Sequence, residues 1–326
     1  MNNTHEHIQT PMRTIPCTTI LAVLLCMATF SLHAKGGAPP TNHPPGNGMD
    51  VETIKLRLEM MDCPVKAVYN KDVAAYLRSY LTYGYKGTER MLGQGKILFP
   101  IFEHYLEMHG MPKQLKFLPM VESSMVPYAV SYAGAAGLWQ FMPATGRHLG
   151  LINDRYLDER KDPYRSTEAA VKYLKKLYKR FGTWELALAA YNCGPTRLSR
   201  TIRASGSKDF WKIKNKLPRE TQRYVSRYIA ACYTGTYYNL HGIQPKTPAE
   251  YHLQPMAARV YSSVSLTGVA VATGVDVSVL KTLNPSFKAT YTPGRANGIY
   301  LVLPRNSWYD YLDSKNKYAG SVAAQP

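Results

Sequence analysis

Residues 115–140 read LKFLPMVESSMVPYAVSYAGAAGLWQ, and the rest of the chain is best understood outward from them. Leu115 and Leu118 are three apart, and Glu122 lies four beyond Leu118. At 3.6 residues per turn all three share one helical face, and the leucines mark it as the face turned to the core. A carboxylate in such a place either takes up a proton or serves a special use. The plain structural answer is a partner, an arginine or backbone donors. For one inward glutamate, periodicity alone favours that answer.

The residues after Glu122 change the balance. Ser123 and Ser124 end the helical pattern. The small residues Ser131, Ala133, Gly134, Ala135, Ala136 and Gly137 then let backbone come close to something. Leu138, Trp139, Gln140, Phe141, Met142 and Pro143 come next. Far downstream stands Ala190-Tyr191-Asn192. The stretch resembles the catalytic core of the lytic transglycosylases of the soluble-lytic, lysozyme-like family. Their Glu-Ser pair is here Glu122-Ser123. Their Gly-Leu-Met-Gln is here Gly137-Leu138-Trp139-Gln140, with Trp in place of Met, and their Ala-Tyr-Asn is residues 190–192. The Trp form and the C-terminal tail are most similar to the membrane-bound D branch. A second departure, Thr196 where related enzymes often carry Gly after Gly-Pro, concerns a loop.

Glycosidases usually work with two carboxylates, but only one acid sits among these motifs. Asp154, Asp158, Glu159 and Asp162 lie in polar stretches whose natural reading is a solvated surface. The resemblance implies a mechanism that needs no second acid, in which Glu122 is the proton donor and then the acceptor. It implies substrate-binding roles for Ser123, Ser131, Gln140, Tyr191 and Asn192, and for Tyr224 as the family's late tyrosine. Three of them have a structural alternative: Ser123 a helix cap, Asn192 a helix terminator, Tyr224 core packing. Trp139 and Phe141 read as core.

The implied activity is non-hydrolytic cleavage of the MurNAc–GlcNAc bond of peptidoglycan, leaving 1,6-anhydro-MurNAc ends. The rivals are a hydrolytic muramidase on the same fold and a non-catalytic peptidoglycan-binding protein. The implied partner is the glycan strand, with peripheral association with the cell envelope as a further possibility. No metal and no cofactor are expected.

The composition fits. The chain of 326 residues is 45% hydrophobic and 19% charged, ordinary for folded protein, with room for about two domains. Its net charge is +18. A polymer bearing carboxylates is drawn to such a surface. Nucleic acid is the usual rival for a basic chain, but the cations are spread out and no arginine-rich arm or zinc signature accompanies them.

Residues 1–34 read as a secretory signal, with Arg13 ahead of the apolar run 20–28 and small residues near Ala34. That run is too short to span a bilayer; an uncleaved anchor is the alternative. Pro16 and Leu25 precede Cys17 and Cys26, so no lipid anchor is expected. The place of action is then outside the cytoplasm, in the periplasm or cell envelope.

The expected fold is mainly α. A linker covers 35–49 and a helical N-terminal extension 50–110. A lysozyme-like catalytic domain covers 111–244. Within it Pro119 should kink the helix that delivers Glu122, and Ser166 should cap a later one. Three prolines mark 245–255 as a linker. Residues 256–305 read strand–helix–helix–strand and resemble a LysM module, a small carbohydrate-binding α+β unit. Where LysM units usually carry a Gly-Asp-Thr turn, this chain has residues 262–267, so the resemblance implies the fold and does not extend to glycan binding. Residues 306–326 form a tail. Cys63, Cys193 and Cys232 read as buried thiols, with a Cys193–Cys232 bridge as the alternative.

Overall fold

The computed structural model describes residues 50–323; residues 1–34, read as a signal, and 35–49, read as a linker, lie outside the described residues. Helix α1 (Val51–Met60) starts where the Asp50 carboxylate accepts from the amides of Glu52 and Thr53. Asn70 does the same for α2 (Lys71–Arg78), which ends in a wide turn at Ser79–Tyr83 before Gly84. The long α3 (Tyr85–Met108) comes next.

The chain then tightens into a 3₁₀ turn at Lys113–Phe117 and opens into the short α4 (Leu118–Glu122). Here the expected kink at Pro119 is not found. Pro119 occupies the first turn of α4, where its missing amide costs nothing. After α5 (Pro143–His148) comes α6 (Pro163–Phe181). Its cap is Asp162 and not Ser166, because Pro163 fits the first helical position and moves the start upstream. Ser166 instead lies inside the helix and donates to the Asp162 carbonyl at 2.6 Å. Thr183 caps α7 (Trp184–Cys193), and Gly194 at φ 85° turns the chain into α8 (Pro195–Ser205). The short α9 (Phe210–Ile213) precedes α10 (Arg219–Tyr237), whose Val225, Ile229 and Cys232 are fully buried.

One continuous apolar cluster ties these helices together. It runs from Ile54 and Leu58 of α1 through Phe102 of α3 to Tyr228 and Tyr233 of α10. Trp139 sits inside it with no exposed surface, its ring edge-on to Phe102 and its Nε1 donating to Thr167 Oγ1 at 2.9 Å. The tryptophan that departs from the family pattern is thus core, as its apolar neighbours implied. Cys63, Cys193 and Cys232 are free thiols, and the sulfur facing Cys232 is that of Cys63, on the turn after α1, not Cys193.

Residues 245–255 are bonded to the helices: the Lys246 amide donates to the Glu89 carbonyl of α3 at 2.8 Å. Beyond them β1 (Pro255–Val260) pairs antiparallel with β4 (Ile299–Pro304), Val260 facing Ile299. The short β2 (Val264–Ser265) pairs with β3 (Tyr291–Thr292). Helices α11 (Leu266–Thr273) and α12 (Val277–Leu283) lie between, the expected strand–helix–helix–strand order. A last helix, α13 (Ser307–Ala323), was not read from the sequence. This module has its own core, built on Leu266, Leu280, Leu301 and Leu303.

Candidate active site

Glu122 is the last residue of α4. The chain cannot continue helically, because Ser124 and Met125 both adopt left-handed backbone, φ 52° and 64°. Residues other than glycine are strained in that conformation, and such residues collect at functional sites. The turn is held by the Pro119 carbonyl, which accepts from the amides of Ser123 and Met125 at 3.1 Å each and from the Ser123 hydroxyl at 3.2 Å. Ser123 is therefore the brace of the turn that presents Glu122.

Tyr224 of α10 meets the acid directly: its hydroxyl donates to Glu122 Oε1. Tyr224 is buried, while Glu122 keeps part of its surface accessible. Burial pushes the Glu122 carboxyl up to about 7, against the opposing pull of the Tyr224 hydrogen bond and the Arg227 guanidinium; Glu220 adds a smaller push in the same direction as burial. Such a group is largely protonated in mildly acidic water and ionises near neutrality, the condition a reversible proton donor needs.

Gln140 stands on the opposite loop, itself in left-handed backbone at φ 47°. Its Nε2 donates to the Gly137 carbonyl at 2.8 Å. That loop is a tight double turn, with Ala136 paired to both Val130 and Phe141. Tyr191 of α7 ties it to the helices by donating its hydroxyl to the Trp139 carbonyl at 2.7 Å. Asn192 bridges α7 and α10: its Nδ2 donates to Glu220 Oε1 at 3.2 Å and its Oδ1 accepts from the Thr221 hydroxyl at 2.6 Å. Ser131 is exposed, and its hydroxyl accepts from the Ala135 amide at 3.0 Å. Of the seven residues read as site, the structure thus joins Glu122, Ser123 and Tyr224 directly. Gln140 and Tyr191 meet at the loop of residues 137–140. Asn192 joins the group through Glu220, and Ser131 makes its own turn.

Of the four acids read as solvated surface, Asp154 keeps part of its side chain in water and the other three do not. Asp158, Glu159 and Asp162 are almost fully buried, and each has a structural task. Asp158 forks onto Arg160, with Nε to Oδ1 and Nη2 to Oδ2 both 2.8 Å. Glu159 accepts from the Ile152 amide, and Asp162 caps α6. Polar composition misled here because a buried network is made of the same residue types as a wet surface. The sequence reading also passed over Glu220, Thr221 and Arg227. Arg227 is three residues after Tyr224 and Glu220 four before it, the spacings that share a helix face, so the signal was present.

Residues 99–214 match the family model Transglycosylase SLT domain, and residues 257–318 match the model Lytic transglycosylase MltD, LysM-like domain. Membrane-bound lytic murein transglycosylase D of Escherichia coli (strain K12) is 37% identical over 203 residues, covering 60% of this chain and 44% of that protein. A putative tributyltin chloride resistance protein of Alteromonas sp. (strain M-1) is 37% identical over 98 residues, 30% of this chain and 47% of that one. Among solved structures, the 70 kDa soluble lytic transglycosylase SLT70 from Escherichia coli aligns with a TM-score of 0.37 at 25% identity, over 46% of this chain and 25% of that one. The chain spans less than half the length of these two curated relatives.

Residues 99–214, which carry Glu122, Gln140 and Asn192, are accordingly similar to the transglycosylase SLT domain. The C-terminal match narrows the likeness to lytic transglycosylases of the D type.

Proposed function

We propose that this protein is a peptidoglycan lytic transglycosylase. The observation that carries the reading is Glu122, a sheltered carboxyl raised to about 7 and bonded by Tyr224. Protonated, it donates to the glycosidic oxygen as the MurNAc–GlcNAc bond breaks. The 2-acetamido oxygen of the muramyl sugar supports the developing cation, as in substrate-assisted cases. Glu122, now ionised and helped by Arg227, takes the proton of the sugar's own 6-hydroxyl. That oxygen bonds to the anomeric carbon and closes the 1,6-anhydro ring, so one proton leaves Glu122 and one returns. A tethered nucleophile avoids much of the entropic cost of recruiting water.

In this reading Gln140 and Asn192 meet sugar amides and hydroxyls, and Tyr191 and Ser123 hold the walls in place. Ser131, exposed at the turn it makes with Ala135, offers its hydroxyl to the glycan. Glu220 is the observation that speaks for the hydrolytic alternative, since it is a second carboxylate near the first. It is exposed and bonded to Asn192, unlike a desolvated nucleophile or water-activating base. Export through residues 1–34, action in the periplasm or envelope, peripheral association with the envelope, and attraction of the net charge of +18 to wall carboxylates complete the proposal.

The test is release of soluble fragments from purified sacculi, read by mass spectrometry for 1,6-anhydro-MurNAc ends. Release without them, or none, sinks the reading. A second test concerns Tyr224→Phe. The Tyr224 hydroxyl favours the ionised form of Glu122, so its loss should raise the Glu122 pKa further. The basic limb of the pH–rate profile then moves to higher pH, and turnover falls about tenfold as the acid loses its orientation. A limb that moves to lower pH contradicts the role given to Tyr224.

A further inference from the structure

The hairpin at residues 152–160 joins the two cores of the molecule. At its tip Asp154 Oδ1 accepts from the amides of Tyr156 and Leu157 at 2.8 and 2.9 Å, and its backbone closes through Asn153 and Asp158. Leu157 then leaves the helical region altogether. It is 1% exposed and belongs to the core of the C-terminal module, among Leu266, Leu280, Leu301 and Trp308. The module grips the hairpin as a sheet edge grips a strand. Leu157 pairs with Phe287 across an antiparallel bridge. The Asp158 amide donates to the Ser286 carbonyl, and the Lys288 amide to the Tyr156 carbonyl, both at 2.8 Å. Lys288 Nζ adds Asn153 Oδ1 at 2.7 Å, and Arg295 pairs with Asp154 at 2.5 Å.

The end of the same hairpin packs against the loop of the candidate site. Arg160, two residues past the paired Asp158, is buried. Its Nη1 donates to the carbonyls of Gly134 at 2.8 Å and Phe141 at 3.0 Å. Its own carbonyl lies so close to Gly137 that a Cβ there would come within 1.7 Å. The planar guanidinium suits this task, since one edge takes the Asp158 carboxylate while Nη1 takes the loop carbonyls. A buried ion pair contributes little net stability against an apolar substitute, but it fixes geometry. The geometry it fixes is that of the loop carrying Gln140 and accepting from Tyr191.

We propose that the C-terminal module is an internal buttress of the catalytic loop, acting through Leu157, Asp158 and Arg160 as positioning residues. The module contributes to turnover by holding residues 134–141 still, whether or not it touches glycan. This rests on the function proposed for the site, but its structural half does not. A module that serves only to hold the wall has a different signature. It changes apparent affinity for insoluble sacculi and leaves turnover of short soluble glycans alone.

The experiment compares the full chain with Leu157→Asp, Leu157→Ala and Leu157→Met. An aspartate has no place in the module core and releases the hairpin, alanine loosens it, and methionine refills the space. Hydrogen exchange is read first, at the loop amides of Ala136, Gly137 and Phe141. These are bonded to the carbonyls of Phe141, Ala129 and Ala136 at 3.1, 2.9 and 3.1 Å. Amides of the β1–β4 ladder report whether the module itself stays folded; if aspartate unfolds it, the alanine variant carries the test. The loop amides should exchange about tenfold faster in the released variant and normally with methionine. On short soluble glycan fragments kcat should fall about tenfold with KM within about twofold, and methionine should restore it. Loop exchange and soluble-glycan kcat that stay at wild-type values while the amide of Asp158 opens would overturn the proposal. If the wild type cleaves no glycan, the site reading fails, and the exchange experiment still decides whether the module supports the loop.

Discussion

Replacing Glu122 by glutamine is expected to abolish turnover for practical purposes while making the protein more stable at neutral pH. A single general acid–base group contributes roughly 10²–10⁴ in rate. Here one group serves both halves of the reaction, so the loss belongs at the upper end or beyond. Stability follows from the sign of the shift. Glu122 is raised from the ordinary carboxyl value to about 7, so the folded state prefers its protonated form. The favourable contribution of that form is complete below the unfolded carboxyl pKa of about 4.3 and is lost as pH rises through about 7. Glutamine has no proton to lose. The melting temperatures of the two proteins should nearly coincide below about pH 4, diverge in favour of Glu122→Gln between about pH 4.3 and about 7, and keep that gap at higher pH. Parallel pH–stability curves would mean that the carboxyl is not held in a dry setting. Sacculus cleavage at a near wild-type rate would remove Glu122 from the mechanism.

The second large effect is expected at Gly137, and Gly134 provides its control. Both glycines lie in the site loop with left-handed backbone, φ 82° and 84°. A side chain at Gly134 meets nothing within 4 Å, so Gly134→Ala carries only the backbone cost, on the order of 1–2 kcal/mol. A Cβ at Gly137 would lie 1.7 Å from the Arg160 carbonyl oxygen, a distance no relaxation of a flexible side chain removes. Either the loop or the hairpin must shift, and both are tied to the buried Arg160. Gly137→Ala should therefore cost roughly 3 kcal/mol or more, the backbone cost plus an overpacking cost, and should lower kcat together with stability. Thermal melts of the two variants settle the point. Equal losses would show that the close approach of Arg160 does not hold the loop.

These two residues also mark how far the sequence could be read. Glu122 was legible because helical periodicity placed an acid on an apolar face and two further motifs came after it in order. Gly137 was legible as a place of close approach, but what approaches it was not. Arg160 is more than twenty residues downstream in a polar stretch, and nothing local distinguishes a buried Asp158–Arg160 fork from two solvated charges. Two helix starts were not legible either: Pro119 lies in the first turn of α4 instead of kinking a longer helix, and Asp162-Pro163 outcompetes Ser166 as the start of α6. Leu157 was the least visible: one apolar residue among polar ones gives no periodic signal, and its partners lie over a hundred residues on. Tyr224 was readable by motif only, and its contact with Glu122 joins residues 102 apart.

The central claim is that the glycosidic bond is broken without water, with the 6-hydroxyl of the muramyl sugar as nucleophile. The most direct measurement is digestion of purified sacculi in water enriched in oxygen-18, with the released muropeptides weighed by mass spectrometry. The expected fragments end in 1,6-anhydro-MurNAc, lighter by one water than the hydrolytic product and free of the label. Fragments with a reducing MurNAc end carrying one oxygen-18 would contradict the claim, keeping Glu122 as the acid but making the protein a muramidase.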